Sequence, residues 1–234
     1  ELPSVQNFLV DRATSFVSKK LDTRVEIDHI RLGALGSVRV EGLYVEDYQQ
    51  DTLIYVGRLK VFLSRFDGTR GITLRNGTIA DAYLNIRETP EGVMNIKQVV
   101  QRLSKKDNDK KSDFSLKVKD VLLQNVNVII EQHEHRHPSY GIDYGDMHVE
   151  HISALVDDFT LDGGRIGGYI RNFSAVEHCG FMVQNFTGHF LIDKGVIDLR
   201  DFEVMAAHSD VRIKSLVLRG EDWAAYKDFI QNVR

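Results

Sequence analysis

The segment Val121-Leu122-Leu123-Gln124-Asn125-Val126-Asn127-Val128-Ile129-Ile130-Glu131 carries the clearest structural signal in the chain. Aliphatic and β-branched side chains, which favour strands, fill most of it. Side chains alternate between the two faces of a strand, and this alternation breaks at Gln124-Asn125 before the apolar residues resume. The segment therefore predicts a β-strand that is interrupted by a bend.

The same short pattern recurs along the chain: an apolar residue, any residue, and then Asn, Asp or Gly, often followed by another apolar residue. The copies are Val40-Glu41-Gly42-Leu43, Leu74-Arg75-Asn76-Gly77, Leu123-Gln124-Asn125-Val126, Ile170-Arg171-Asn172-Phe173, Val183-Gln184-Asn185-Phe186 and Leu199-Arg200-Asp201-Phe202. Strict alternation would place the two apolar residues of each copy on opposite faces. A bulge at Asn, Asp or Gly, which tolerate left-handed backbone, returns the second one to the face of the first. The alternative is coincidence, because strands often end in Asn or Gly.

On either side of this segment, period-two patterns alternate with turn residues and predict an antiparallel meander. Gly57-Arg58 is expected to separate two strands, Asn76-Gly77 is expected to separate two more, and a further short strand is predicted over Ile142–Tyr144. Helical spacing of apolar residues occurs over 5–21, after Asn95 and over 221–233. The first helix is amphipathic, and it either closes one end of the sheet or lies on a membrane surface. Asn95 can cap the second helix, with Gln98 in the capping-box position.

The charged run 104–113 is the best internal boundary, because it is polar and low in complexity. We expect 1–103 to hold the N-terminal helix, a β-meander and the short helix. We expect 114–234 to continue the β-structure and to end in a helix. The predicted fold class is mainly β with flanking helices, built as an elongated, curved antiparallel sheet that forms an open groove.

Composition excludes several classes of protein. The chain has 234 residues, of which 42% are hydrophobic, so it can bury a core. A net charge of -4 does not provide the basic surface that nucleic acid requires. The single cysteine, Cys179, permits no internal disulfide, and no apolar run reaches the roughly 20 residues of a membrane span. The chain begins with Glu1, from which we expect an excised piece of a longer protein.

Three alternate histidines, His133, His135 and His137, are the main candidates for metal ligands. On an extended strand they would project to one side, and three imidazoles with an open position can bind zinc. The stretch is polar and ends at Pro138, as a surface loop does, and we expect no physiological metal site there. Cys179 lies beside His178 without a nucleophile signature around it, so we expect no catalytic residue and no cofactor.

Several stretches carry a family resemblance. These are the opening Leu2–Leu9, the strand-like Leu21–Ile27, the segments Val40–Asp47 and Asp51–Leu59, and Gly92-Val93-Met94-Asn95-Ile96 before the short helix. Together with Cys179-Gly180-Phe181 and Ser209-Asp210-Val211, they resemble the N-terminal periplasmic region of the AsmA/TamB family in its Bacteroidota form. The resemblance spans nearly the whole chain, and its motifs are β-repeat patterns rather than a catalytic signature.

This resemblance implies a non-catalytic periplasmic protein, tethered to the inner membrane by an anchor outside this sequence. The family's sheet forms an oily trough, as in the chorein-type lipid carriers, and serves lipid transport toward the outer membrane or the assembly of outer-membrane proteins. We expect phospholipid acyl chains as the ligand and an outer-membrane β-barrel as a possible partner. The residues that we expect to line the groove are Val38, Val40, Leu59, Val61, Leu84, Ile86, Val128, Ile130, Phe190 and Ile192.

Three alternatives to a lipid groove remain open from the residues alone. A scaffold for outer-membrane protein assembly would pair its sheet edges with client strands. A closed β-sandwich would have no groove. An enzyme would require stoichiometric zinc and a loss of activity on His135→Ala.

Overall fold

The computed structural model describes residues 21–67, 71–97, 99, 115–162, 165–193 and 195–220, together with 10, 11, 14, 15, 18 and 19. These residues form one open, ten-stranded sheet whose strands are arranged in chain order. The strands are β1 Val25–Leu32, β2 Ser37–Glu46, β3 Thr52–Asp67, β4 Gly71–Arg87, β5 Ser115–Glu131, β6 Asp146–Asp162, β7 Arg165–Glu177, β8 Met182–Asp193, β9 Val196–Ala206 and β10 Ser209–Arg219. A short 3-10 turn, Ala34–Gly36, joins β1 to β2.

The predicted mainly β, open and curved sheet is confirmed, with one difference in strand direction. Every neighbouring pair is antiparallel except β4 and β5, which are parallel from Gly71↔Ser115 to Arg87↔Glu131. Parallel neighbours need a long crossover connection, and residues 88–114 provide it. The predicted linker 104–113 lies within this crossover and outside the described residues. The two halves on either side of it share a single sheet.

Several predicted strand ends are wrong, because residues that signal turns lie inside continuous strands. Gly57-Arg58 was expected to separate two strands, but β3 runs through it from Thr52 to Asp67. Asn76-Gly77 likewise lies within β4. The predicted strand Ile142–Tyr144 is instead part of the loop between β5 and β6.

The predicted flanking helices are mostly outside the described residues. The N-terminal helix over 5–21 is not seen as an element, although described positions there, such as Ser18 and Leu21, have helical backbone. The C-terminal helix over 221–233 and the capping partner Gln98 fall on residues that are not described. No helix in the described part of the chain is both long and apolar enough to cross a membrane.

The best-buried apolar cluster lies at one end of the sheet. It contains Leu21, Val25, Val45, Leu53 and Val99, and Leu53 is completely buried. Leu21 and Val99 come from outside the sheet, so they cover the apolar face of the first strands. Leu21, the last residue of the predicted N-terminal helix, therefore packs against this end of the sheet.

Hydrogen bonds of the Asn95 side chain stabilise this end of the sheet. The Asn95 side-chain nitrogen donates to Asp47 Oδ2 at 3.0 Å, and to the carbonyl of Asn85 at 3.0 Å. The Asn95 side-chain oxygen accepts from the Arg87 N–H at 3.0 Å. Asn95 therefore joins the β2–β3 turn to β4, a role that the capping interpretation missed.

Candidate functional site

Continuous rows of apolar side chains cross the sheet in the direction of its hydrogen bonds. One row, which we call the long apolar row, is defined by direct pairing of each residue with the next across seven strands, β4 to β10. Its members are Ile72, Leu116, Leu161, Ile166, Ile192, Ile197 and Leu218. All seven are half-buried, because no second layer of described residues covers them.

Two further apolar rows cross β1 to β6. The first consists of Ile30, Val40, Leu59, Ile79, Leu123 and Ala154. The second consists of Ile27, Leu43, Val56, Ala82, Val126 and Ile152. In β2 to β5 the two rows are three residues apart, which would put them on opposite faces if the strands alternated strictly.

A line of bends lies between these two rows in β2, β4 and β5 and explains the spacing in those strands; in β6 the bend lies beside the second row. The backbone is left-handed at Gly42, Asp81 and Asn125, and at His151, which directly precedes Ile152, with φ between 52° and 65°. Asn125 pairs beside Asp81, and the exposed dipeptides Gln124-Asn125 and Glu150-His151 each interrupt the alternation of burial. Two consecutive side chains on the wet face are the signature of a bulge, which bends the strand. The apolar residues on both sides of the bend therefore return to one face.

The recurring sequence pattern predicts these bends in part. Four of its six copies, at Gly42, Asn125, Asn172 and Asp201, have left-handed backbone. The prediction is wrong for Asn76 and Asn185, which do not. In β8 the bend occurs instead at Gly188, where a Cβ would lie 2.5 Å from Cβ of Phe202. The bends at Asp81, His151 and Asp158 were missed.

Polar side chains stabilise the line of bends on the wet face. The Asn125 side-chain nitrogen donates to Asp81 Oδ1 at 2.9 Å, and its oxygen lies 3.2 Å from His151 Nδ1. Arg58 Nη2 donates to Asp81 Oδ2 at 2.7 Å. The hydrogen bonds from Asn125 and Arg58 lower the pKa of the Asp81 carboxyl. This face is therefore charged and hydrated, in contrast to the face that carries the apolar rows.

The candidate lining residues all lie in strands and are all half-buried. Val38 pairs with Val61, and Val40 pairs with Leu59. Leu84 pairs with Val128, and Ile86 pairs with Ile130. Ile192 belongs to the long apolar row, with Phe190 two residues earlier. The other six members of the long apolar row were missed, because only the strand register shows which residues are neighbours.

A row of positive charge marks the strand ends near the 3-10 turn. Arg31 pairs with Arg39, and Arg39 pairs with Lys60. These three residues help to line a cleft of about 470 Å³, together with the exposed Leu32 and Phe62. Like charges that face one another across strands repel, so this row of positive charge destabilises the sheet.

The three candidate histidines do not lie on one strand, because β5 ends at Glu131. They belong to the loop before β6, and they help to line a cleft of about 630 Å³. The structure brings His135 and His137 to Asp143, which sequence reasoning missed, and it does not bring the His133 ring to them. A second group nearby consists of Glu131, Asp146 and His148.

Cys179 is exposed, and it sits in the turn after β7. Its interaction with the buried Glu177 carboxylate raises the pKa of the thiol. A raised pKa reduces the thiolate that a nucleophile needs. The local chemistry therefore disfavours catalysis by this residue.

No family model matches the chain, and no curated protein matches it.

Proposed function

We propose that the chain is a non-catalytic module that shelters lipid acyl chains on the apolar face of its sheet. The observation that carries the proposal is the long apolar row, whose side chains are half-buried, with no second layer over them among the described residues. The sequence resemblance to the AsmA/TamB family supports the same reading. It leads us to propose a periplasmic location, an inner-membrane anchor outside this sequence, and transport of phospholipid toward the outer membrane.

The length of the long apolar row suits an acyl chain. Neighbouring strands are about 4.8 Å apart, so six steps from β4 to β10 span about 29 Å. The hydrocarbon core of a bilayer is about 30 Å thick for two leaflets, so one extended acyl chain needs about 15 Å. An acyl chain therefore fits at more than one position along the row, as a transport path requires.

The energetics favour reversible binding. A methylene that leaves water completely gains about 0.8 kcal/mol. An open face covers roughly one side of a chain, so about ten methylenes gain roughly 4 kcal/mol, which corresponds to a millimolar dissociation constant. Two acyl chains on one lipid roughly double this gain and reach the micromolar range. Such a lipid is held but can also leave.

The two ends of the sheet differ in a way that suits this role. The cluster around Leu53 covers the apolar face of the first strands, with Leu21 and Val99 packed against it. The long apolar row begins at Ile72 in β4 and continues to Leu218 in β10. The accessible part of the apolar face is therefore the part made by the later strands.

Binding of a fluorescent phospholipid to the purified chain tests the proposal, with one charge placed on either face of β8. Ile192→Glu puts a carboxylate in the long apolar row, and His189→Glu puts the same charge on the exposed face of the same strand. We expect Ile192→Glu to weaken binding at least about tenfold, since a tenfold change needs only about 1.4 kcal/mol. His189→Glu should bind like the original chain. Equal binding by both variants would contradict the proposal.

A second candidate function is the assembly of outer-membrane proteins, which the free edge of β10 favours. Among the described residues, Ser209–Arg219 pairs only with β9, so one side of its backbone is open to an added strand. Lysine and arginine on this strand are typical of edges that resist aggregation. Capture of an unfolded β-barrel peptide, abolished by proline at Ile213 and unaffected by Ile192→Glu, would favour assembly over lipid binding.

A further inference from the structure

The loop between β5 and β6 contains a second, independent constellation of functional groups. His135 Nε2 lies 3.1 Å from Asp143 Oδ2, and His137 Nδ1 lies 2.7 Å from the same oxygen. Their ligand atoms all fall within 4.8 Å of one another. Imidazole nitrogen and carboxylate oxygen are ligands of zinc and related transition metals.

The His135 ring is largely buried. Its side chain is only 10% exposed, and it lies against the backbone of Gly145. A Cβ at Gly145 would come within 2.3 to 2.9 Å of three atoms of that ring. Glycine has no Cβ, and it therefore leaves room at position 145 for the imidazole ring.

The two nitrogens of His135 both face acceptors. Nδ1 lies 3.3 Å from the carbonyl oxygen of Gln132, and Nε2 faces the Asp143 carboxylate. A neutral imidazole has only one N–H donor, so both acceptors are satisfied either by a doubly protonated ring or by a metal ion between Nε2 and the carboxylate. Histidines that bind metals commonly donate their other N–H to a backbone carbonyl, as Nδ1 is placed to do here.

The Asp143 carboxylate is oriented in the same way. Its Oδ1 accepts a hydrogen bond from the Gly145 N–H at 3.0 Å, which leaves Oδ2 directed at both rings. The side chain is 14% exposed, so the carboxylate is largely withdrawn from water. His135 and Asp143 therefore each have the kind of supporting contact that separates a metal site from a surface cluster, whereas the His137 side chain is 69% exposed.

We propose that His135 Nε2, His137 Nδ1 and Asp143 Oδ2 bind one divalent transition metal ion, with Zn²⁺ as the ion that best suits this set. The ion replaces the protons shared between the rings and the carboxylate, and water completes the tetrahedron. Binding ties the middle of the loop to its end, next to β6. The site does not depend on the lipid-binding function.

The neighbouring group of Glu131, Asp146 and His148 is a weaker set of ligands. Glu131 Oε2 lies 3.0 Å from Arg87 Nε, so an arginine already neutralises that carboxylate. The His148 ring lies against the His178 ring, with centroids 4.9 Å apart. His148 therefore serves as a control that reports which group holds the ion.

Competition between the whole chain and a chromophoric zinc chelator tests the site. We expect one Zn²⁺ per chain, with a dissociation constant of about 1 µM or below. Asp143→Asn and His137→Ala should each weaken binding at least about tenfold, because even the loss of a supporting group costs about that much. His133→Ala and His148→Ala should bind within about twofold of the original chain.

A second readout separates loss of the site from loss of the fold. Zn²⁺ should raise the melting temperature of the original chain and of His148→Ala, because a ligand that binds only the folded state stabilises it. It should not raise the melting temperature of Asp143→Asn, whose melting without metal should be cooperative. Absence of Zn²⁺ binding, unchanged binding by Asp143→Asn, or loss of binding in His148→Ala alone would each overturn the proposal.

Discussion

Replacement of Asn125 by valine and by glycine separates the two things that this residue does in the bend of β5. Its backbone is left-handed, with φ of 52°, and its side chain bonds Asp81 and His151 on the wet face. Both variants lose the side-chain bonds, which at an exposed site are worth about 0.5 kcal/mol each. Only valine adds backbone strain, of about 1–2 kcal/mol, because glycine adopts this conformation freely.

The free energy of unfolding should therefore fall by about 1 kcal/mol in Asn125→Gly and by about 2–3 kcal/mol in Asn125→Val. Urea titration followed by circular dichroism gives both values from the midpoint and slope. Gln124→Val is the matched control, since Gln124 is the exposed neighbour with ordinary strand backbone, and it should change stability by less than about 0.5 kcal/mol. Losses in the valine and glycine variants that agree within about 0.3 kcal/mol would refute the argument that the left-handed bend costs valine.

The remaining predictions concern stability elsewhere in the sheet. Asn95→Ala should lower the free energy of unfolding by about 3 kcal/mol, because it removes two buried hydrogen bonds, one of them to the Asp47 carboxylate, and a third that is partly buried; a loss below about 1 kcal/mol in urea titration would contradict the stabilising role of Asn95. Arg39→Gln should raise the free energy of unfolding by about 0.5 kcal/mol, because it removes repulsion between like charges across three strands. Salt screens this repulsion, so thermal melting in high salt should show no gain in the melting temperature of the variant. Burial of the Glu177 carboxyl raises its pKa, but hydrogen bonds from the Cys179 thiol and from the Cys179 and His148 N–H groups outweigh burial, and the pKa is lowered. The Glu177 carboxylate therefore stabilises the fold at pH values above the ordinary carboxyl pKa, and this stability is lost as the pH falls through the lowered pKa. Glu177→Gln should then flatten the acid limb of a plot of melting temperature against pH. An unchanged acid limb would count against this role of Glu177.

The fold class could be predicted from the sequence, because the alternation of apolar and polar residues is a local property of each strand. Val128 and Ile130 read as one face of a strand without any knowledge of the partner strand. Asn125 and Asn172 were identified as bends, since few residue types tolerate left-handed backbone and these interrupt apolar patterns. Asp81 was missed although Ile79-Ala80-Asp81-Ala82 fits the pattern, and His151 was missed because the pattern did not include His, which also occupies the left-handed region.

What sequence reasoning could not supply is the pairing of strands. Glycine and asparagine read as turns, so Gly57 was expected to end a strand that in fact continues beside the bend at Asp81. The parallel pairing of β4 with β5 depends on a crossover that local patterns do not encode. The long apolar row, and the approach of Asp143 to His135, both follow from register and loop path rather than from spacing.

Native mass spectrometry of the chain, purified gently from the cells that make it, tests whether the apolar face carries lipid. We expect added masses of phospholipid on the original chain and on His189→Glu, and their loss from Ile192→Glu. A bare chain in all three preparations, with folding verified by circular dichroism, would contradict lipid binding by the apolar face.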